Sequence, residues 1–409
     1  MAKAFIALGL EPRKSVGILG FNSPEWFFSD LAAIFCNAIS VGIYTTNSPD
    51  ACKYMADHSN ANILVVEDAN QLKKILEIKD DLKDLKAIVQ YTGTPEHPGV
   101  LSWQELMDKG KEASDEALEE RLKQIVINQC CHLVYTSGTT GPPKAAMLSH
   151  DNLTFTAKVT KPKKIFCLHF DDFFSFKVMN HVYELTDKGA ERNVSYLPLS
   201  HIAASMMDIY VMMACQGTTY FADKSALKGT LTITLQEALP TLFLGVPRVW
   251  EKIQEKMMQV GAANKGLKRQ IGQWAKRTGL VWNHNRLNGM EASMTSGLKY
   301  KIADKVVFQV NYYPNYQEKT EAISFFLQKV KTALGLNKCK SFFVAAAPIS
   351  MDTLDYFLSL DIKIFEIYGM SECTGPHTYN CQGHQKIGSI GRSLPGCHSK
   401  IATKADEGW

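Results

Sequence analysis

A short segment rich in hydroxyl side chains precedes a lysine and directly follows the predicted strand Cys131–Tyr135. It reads Tyr135-Thr136-Ser137-Gly138-Thr139-Thr140-Gly141-Pro142-Pro143-Lys144. Glycines allow the backbone to turn tightly and to point N–H groups at an anion. Hydroxyls add further donors, one of which can ligate Mg²⁺, and a lysine supplies a point charge for phosphate. The segment therefore predicts a phosphate-binding loop.

The spacing of this loop differs from that of a Walker A loop. A Walker A loop requires GxxxxGK[ST] at the start of a helix, whereas Gly138 to Lys144 reads GxxGxxK and is followed by Ala145. A P-loop NTPase is therefore disfavoured. A plain Ser/Thr-rich turn is the alternative, but the length of the string and the strand before it favour anion binding.

Two further strings place a titratable side chain after a predicted strand. Glu366-Ile367-Tyr368-Gly369-Met370-Ser371-Glu372 ends in a carboxylate, and Tyr196-Leu197-Pro198-Leu199-Ser200-His201 ends in an imidazole. A carboxylate can help to hold a divalent cation, and a histidine changes charge near neutral pH. The alternative for His201 is a buried histidine whose hydrogen bonds are satisfied.

Together the three strings resemble the signatures of the adenylate-forming superfamily, which includes acyl-CoA synthetases, luciferases and peptide-synthetase adenylation domains. Gly245–Ile253, which reads GVPRVWEKI, is similar to a string of the long-chain acyl-CoA synthetases. Ser200–Ala204 and the segment from Ser371 to Thr378 resemble the bubblegum-type branch of those enzymes. Within Gly245–Ile253, Trp250 is interpreted as a residue that packs the helix, and Arg248 as a surface charge.

The resemblance implies a two-step ligase reaction with a long-chain fatty acid, ATP and coenzyme A. A carboxylate attacks the α-phosphate of ATP, pyrophosphate leaves, and the coenzyme A thiol then displaces AMP from the acyl-adenylate. The first step brings anions together, so the site must supply positive charge and N–H donors. An amino-acid substrate is disfavoured, because the aspartate that pairs an α-ammonium group in peptide synthetases is not identified here.

The resemblance also assigns roles to individual residues. Lys144, Glu372 and His201 are the predicted catalytic residues, with His201 beside the acyl carboxylate. Thr136 and Glu372 are the predicted partners of Mg²⁺, which neutralises charge on the phosphates. The predicted nucleotide-binding residues are Thr136, Ser137, Gly138, Thr139, Thr140, Gly141, Pro142, Pro143, Lys144, Glu366, Ile367, Tyr368, Gly369, Met370, Ser371 and Glu372.

The elements around these strings alternate between strand and helix, which predicts an α/β fold with a parallel sheet and helices on both faces. By resemblance, residues 1–409 form an incomplete AMP-binding domain. It is predicted to comprise a first αβα subdomain with the phosphate loop (about 1–157), a second αβα subdomain (190–380) and the start of a truncated β-barrel (381–409).

Composition fits a folded chain with a large core. The 409 residues are 45% hydrophobic and 21% charged, and the net charge of +4 offers no basis for a nucleic-acid partner. Ten cysteines without a CxxC pair indicate reduced thiols, and the N-terminal apolar run is too short for a secretion signal. We expect a cytoplasmic protein, with peripheral attachment to the endoplasmic reticulum or other membranes left open.

Some family features are not matched. The ribose-binding aspartate, the adenylation lysine and the C-terminal lid domain lie beyond the string Ile390–Gly396 in the family, so we expect a chain truncated at both ends with impaired activity. Ala345 and Ala346 stand where the family often has glycine. Residues 161–181 and 311–326 interrupt the match. The alternative function is a non-catalytic remnant that binds nucleotide or fatty acid.

Overall fold

A computed structural model describes residues 1–136, 141–157, 189–262, 266–287, 299, 331–381, 385–394 and 397–401. The interrupting stretches 161–181 and 311–326 and the centre of the phosphate loop, residues 137–140, lie outside the described residues. The chain divides into two compact units. The first unit comprises Met1–Ala157, Ser195–Met213 and Ser371–Gly375. The last two segments fall within the predicted second subdomain, whose boundaries stay a prediction.

The strands come mostly from short apolar runs. In chain order they are β1 Ser15–Leu19, β2 Ile39–Ile43, β3 Ala61–Val66, β4 Ala87–Gln90, β5 Val100–Ser102, β6 Cys130–Thr136, β7 Lys144–Ser149, β8 Arg192–Ser195, β9 Thr218–Phe221, β10 Leu242–Gly245, β11 Ser341–Val344, β12 Ile364–Met370, β13 Gly375–Tyr379 and β14 Arg392–Ser393.

The α-helices alternate with these strands. In chain order they are α1 Ala2–Ala7, α2 Pro24–Phe35, α3 Pro49–His58, α4 Ala69–Leu76, α5 Trp103–Glu112, α6 Asp115–Lys123, α7 His150–Ala157, α8 Ile202–Ser205, α9 Met212–Ala214, α10 Leu231–Ala238, α11 Pro247–Ala262, α12 Leu267–Leu287 and α13 Met351–Leu358. Between α8 and α9 the chain adopts a π-helix over Met206–Val211.

The first unit is built on a seven-stranded sheet in the order β5-β4-β3-β1-β2-β6-β7. The pairs from β5 through β6 are parallel, which confirms the predicted α/β class. All residues of β1 and β3 are buried, as is usual for parallel strands covered on both faces. The edge strand β7 differs from this prediction, because it runs antiparallel to β6.

Local capping explains where several helices of this unit begin. The Ser23 side chain accepts a hydrogen bond from the Trp26 N–H, with Pro24 in the first turn of α2. The Ser48 side chain caps α3 in the same way. The charged segment between α5 and β6 is only partly helical. The backbone is extended at Ala113 and Ser114, Ser114 caps α6, and α6 ends at Lys123.

The second unit has a five-stranded sheet in the order β10-β11-β12-β13-β14. Its first three strands are parallel, whereas β13 and β14 are antiparallel. Trp250 on α11 is fully buried, and its Nε1–H donates to the Phe343 carbonyl at 3.0 Å. Arg248 is exposed and pairs with Glu251 and Glu255. Both residues therefore have the packing and surface roles that the sequence predicts.

The segment predicted to open a β-barrel, 381–409, is described only at residue 381 and over residues 385–394 and 397–401. In it, β14 pairs with β13 through Thr378 opposite Ser393 and Tyr379 opposite Arg392. In the described part of the chain, no helix has the length and apolar character needed to cross a bilayer.

Candidate functional site

The predicted phosphate loop connects the antiparallel strands β6 and β7. Thr136 and Lys144 lie opposite each other in the ladder, and the Thr136 hydroxyl donates to the Lys144 carbonyl at 3.4 Å. Residues 130–135 of β6 are buried, while Lys144 is exposed. The strand pair therefore fixes both ends of the loop at the edge of the sheet and leaves the lysine in solvent, where it can meet an anion.

Gly141 is in the described part of the loop and has a φ of +87°. A Cβ at this position would meet no atom of the described residues within 4 Å, so the requirement for glycine comes from the backbone angle. The loop leads into a strand and not into a helix, in agreement with the expectation that it is not a Walker A loop. Ser137, Gly138, Thr139 and Thr140 lie outside the described residues.

Glu372 lies in the same unit as Lys144. It occupies a 3₁₀ turn, Ser371–Cys373, that lies against β7. Ser371 is buried and anchors this turn, whereas Glu372 is exposed. The fold thus brings the turn that carries the predicted carboxylate next to the strand that begins with the predicted lysine, although the two are far apart in sequence.

The predicted Mg²⁺ partners are an exposed carboxylate, Glu372, and a half-buried hydroxyl, Thr136. Both supply oxygen atoms, which are the ligands that Mg²⁺ prefers, and Mg²⁺ usually takes its other ligands from water and substrate phosphates. Among the described residues, no group of three or more His, Cys, Asp or Glu side chains could hold a metal ion. The donor set therefore fits a cation that arrives with a nucleotide.

His201 begins α8 as its N-cap residue. Its Nδ1 atom accepts a hydrogen bond from the Ala203 N–H at 3.2 Å, so the ring is neutral and carries its proton on Nε2. Burial lowers the pKa of His201 below its ordinary value. The half-buried ring therefore presents an N–H donor at Nε2, which is the group needed to bind a carboxylate oxygen.

The string from Glu366 to Met370 forms the end of β12 in the second unit. Tyr368 and Met370 are exposed while Ile367 is buried, as expected for side chains that alternate across a strand. Oε2 of Glu366 accepts a hydrogen bond from the Gly388 N–H at 2.9 Å. Burial nevertheless raises the pKa of Glu366. The Tyr368 ring is thus available for stacking, whereas the Glu366 carboxylate is already engaged by the backbone.

The segment Ser341–Pro348 places β11 before a turn that contains Ala346. Ala346 has a φ of +75°, which is the left-handed region that favours glycine. This is one of the two positions at which the family often has glycine. The chain therefore keeps the glycine-type backbone conformation at Ala346 despite the alanine side chain.

A buried polar network in the first unit was not predicted. The Tyr210 hydroxyl donates to Oδ2 of Asp30 at 2.7 Å, and Nδ1 of His132 lies 3.2 Å from Oδ1 of Asp30. Asp30 and His132 are fully buried. The network links α2, β6 and the π-helix. No local sequence signal could have found it, because each residue lies in an otherwise apolar segment and the partners are remote along the chain.

Comparison with known proteins places these features in a family. Residues 1–408 match the family described as AMP-binding enzyme. The chain is 47% identical over 409 residues to the long-chain-fatty-acid–CoA ligase ACSBG2 of Xenopus laevis, covering 100% of this chain and 50% of that protein. It is 45% identical to the protein of the same name in Gallus gallus, covering 98% of this chain and 48% of that protein. The chain thus spans about half the length of these curated relatives.

A solved structure has a similar fold. The anthranilate CoA ligase AuaEII, solved in complex with anthranoyl-AMP, superposes with a TM-score of 0.65 at 17% sequence identity. That similarity covers 99% of this chain and 59% of the ligase. At this identity the similarity establishes a shared fold and no finer property.

Proposed function

The chain belongs to the AMP-binding enzyme family, and on that premise we propose that it serves the ATP-dependent activation of long-chain fatty acids. In the proposed reaction, a fatty-acid carboxylate oxygen attacks the α-phosphorus of ATP and pyrophosphate leaves. The thiol of coenzyme A then attacks the acyl carbon, AMP leaves, and the thiol proton is released. The products are acyl-CoA, AMP and pyrophosphate.

The observation that carries the proposal is the arrangement of Lys144 and Glu372 in one compact unit. The exposed lysine follows a loop anchored by β6 and β7, and the Glu372 turn lies against β7. Lys144 supplies positive charge for the phosphates, and Glu372 with Thr136 would hold Mg²⁺. Mg²⁺, when bound, neutralises charge on the phosphates. The Nε2–H of His201 is proposed to orient the acyl carboxylate.

The substrate class is inferred from the relatives. Both curated relatives described above are named for long-chain fatty acids. The GVPRVWEKI string and the lack of an identified partner for an α-ammonium group favour the same class. We propose a long-chain fatty acid as the acyl substrate and coenzyme A as the acceptor.

The test is ATP–pyrophosphate exchange measured with a panel of carboxylic acids. We expect exchange with long-chain fatty acids, and a large loss in Lys144→Ala and Glu372→Gln. Lys111→Ala is the matched control, because Lys111 is an exposed lysine of the same unit that pairs with Asp108 on α5. Exchange with amino acids but with no fatty acid would refute the substrate class.

A non-catalytic remnant is the competing function. It predicts that Mg-ATP or fatty acid binds while no acid supports exchange. For the 409 residues alone, we expect thioester formation well below that of a relative of full length. The resemblance places the ribose-binding aspartate and the adenylation lysine outside the matched strings, and groups that stabilise transition-state charge contribute roughly 10²–10³-fold each.

A further inference from the structure

Both ends of the phosphate loop are hydrogen-bonded to the same helix. The last turns of α3 carry Tyr54 and His58. Nδ1 of His58 lies 2.8 Å from the Tyr135 hydroxyl, on the strand that enters the loop. The Tyr54 hydroxyl donates to the Pro143 carbonyl at 2.9 Å, on the segment that leaves the loop.

The Tyr135 hydroxyl contacts α3 at two points. It lies 2.8 Å from Nδ1 of His58 and 3.3 Å from the carbonyl oxygen of Met55. Burial raises the pKa of Tyr135 to about 12, so the hydroxyl keeps its proton at neutral pH. In either neutral tautomer of His58, Nδ1 is hydrogen-bonded to this hydroxyl, as donor or as acceptor. The strand that enters the loop is therefore held to α3 through the His58 ring.

The two contacts are mechanically connected. The Tyr54 ring stacks on the His58 ring, with centroids 5.4 Å apart and an interplanar angle of 23°. Tyr54 and Tyr135 also meet edge to face at 6.5 Å. The three rings form one cluster that contacts both ends of the loop, so the position of either end depends on the other.

We propose that Tyr54 and His58 are positioning residues that hold the two ends of the phosphate loop at a fixed separation for a triphosphate. The ends in question are Tyr135–Thr136 and Pro143–Lys144, and Lys144 lies directly after the carbonyl that Tyr54 holds. This inference rests on the proposed function for its ligand. It assigns to α3 the control of where the Lys144 charge meets phosphate.

The first experiment measures binding to the full 409-residue chain by calorimetry. Tyr54→Phe removes only the hydroxyl, and His58→Phe keeps a ring for stacking but removes the nitrogen that bonds to Tyr135. Each variant is expected to lower the affinity for Mg-ATP and for Mg-tripolyphosphate by about threefold to tenfold, which corresponds to one net hydrogen bond. The affinity for AMP is expected to stay unchanged. A general loss of folding would instead lower the affinity for all three ligands together.

Tyr91→Phe is the matched control, because the Tyr91 hydroxyl also donates to a main-chain carbonyl, that of Phe21, at 3.1 Å. Tyr91 follows β4, on the side of the sheet away from β7. The control is expected to leave all three affinities unchanged. The inference would be overturned if Tyr54→Phe and Tyr91→Phe lowered the affinity for Mg-tripolyphosphate equally. Unchanged affinity in Tyr54→Phe would also overturn it.

The second experiment requires no ligand and separates this inference from the proposed function. Amide hydrogen exchange is measured for residues 132–136 and 144–149 of β6 and β7. Tyr54→Phe and His58→Phe are expected to speed exchange at Thr136 and Lys144, whereas Tyr91→Phe is not. If the parent chain binds no Mg-ATP, the proposed function fails. The amide hydrogen exchange still decides whether α3 positions the two ends of the loop. Unchanged exchange in both variants would overturn that role.

Discussion

Nδ1 of His201 accepts a hydrogen bond from the main-chain N–H of Ala203 at 3.2 Å, so the predicted acyl-site histidine also caps the helix that it begins. The two roles use different atoms of one ring. Nδ1 satisfies a helix donor, and Nε2 carries the proton that can face a carboxylate. Stability and substrate binding can therefore be separated by mutation at this position.

We expect His201→Asn to keep stability and His201→Ala to lose it. Asparagine is a strong N-cap residue, whereas alanine leaves the Ala203 N–H without its partner, at a cost of about 1 kcal/mol. Both variants lack Nε2, so both should reduce fatty-acid-dependent exchange. Urea denaturation and pyrophosphate exchange on the same samples give the comparison. Full exchange activity in His201→Asn would show that the ring has a capping role alone.

Stability should fall as the pH drops below about 6.5. Burial lowers the pKa of both His201 and His150 below the ordinary value of 6.5. The unfolded chain then takes up protons at pH values where the folded chain does not, which favours unfolding. At about pH 7.5 and above, both states are almost fully deprotonated at these sites, and no dependence is expected from them. Urea midpoints between pH 5 and 8 test this.

The matched variant for the pH series is His201→Asn, which cannot titrate. Its urea midpoint should fall less steeply with acid than that of the parent. An identical acid slope in parent and variant would show that His201 contributes nothing to the proton uptake.

Ala346→Gly should stabilise the second unit. Ala346 has a φ of +75° and is exposed, so removing its methyl group relieves backbone strain and costs little burial. The left-handed conformation costs alanine about 1–2 kcal/mol. The greater freedom of glycine in the unfolded chain offsets about 0.5–1 kcal/mol of this gain.

Ala347→Gly is the control for this prediction, since Ala347 is exposed and lacks a positive φ. It should destabilise the chain, because only the unfolded-state effect remains. Thermal denaturation of the two variants beside the parent is the measurement. Equal shifts in melting temperature for both variants would contradict the strain at Ala346.

Tyr210→Phe should destabilise the first unit more than Tyr91→Phe does. Tyr210 donates to a fully buried carboxylate, Asp30, whereas Tyr91 donates to a neutral carbonyl. Removing the donor to a buried charged acceptor costs about 1.5–3 kcal/mol, compared with about 0.5–1.5 kcal/mol for a neutral pair. Urea denaturation distinguishes the two ranges. The same loss in both variants would mean that Asp30 is neutral or finds another donor.

The sequence predicted the alternation of strands and helices correctly for a physical reason. Strands β1 and β3 are buried on both faces and therefore read as continuous apolar runs. Strand β7 could not be predicted in this way. Its residues Lys144–Ser149 range from exposed to buried without a two-residue period. Its conformation is set by pairing with β6, which a local pattern does not encode.

The same distinction applies to the candidate site. Lys144, Glu372 and His201 were identified because each ends a recognisable string of residues. Tyr54 and His58 were not, since their partners are 89 and 77 residues away along the chain. A single sequence records which groups can do chemistry, whereas the groups that hold them in position follow from the tertiary fold.

The first unit is assembled from Met1–Ala157, Ser195–Met213 and Ser371–Gly375. During synthesis, β7 is therefore translated before the Glu372 turn that lies against it, and this contact can form only once that turn has been made. The end of β7, Ser149, and the start of the turn, Ser371, are 222 residues apart, which at about 5–20 residues per second amounts to on the order of 10–40 s of translation. Until then the ribosome-bound chain holds an unfinished first unit, in which the surface of β7 that receives Ser371–Cys373 is open to chaperones.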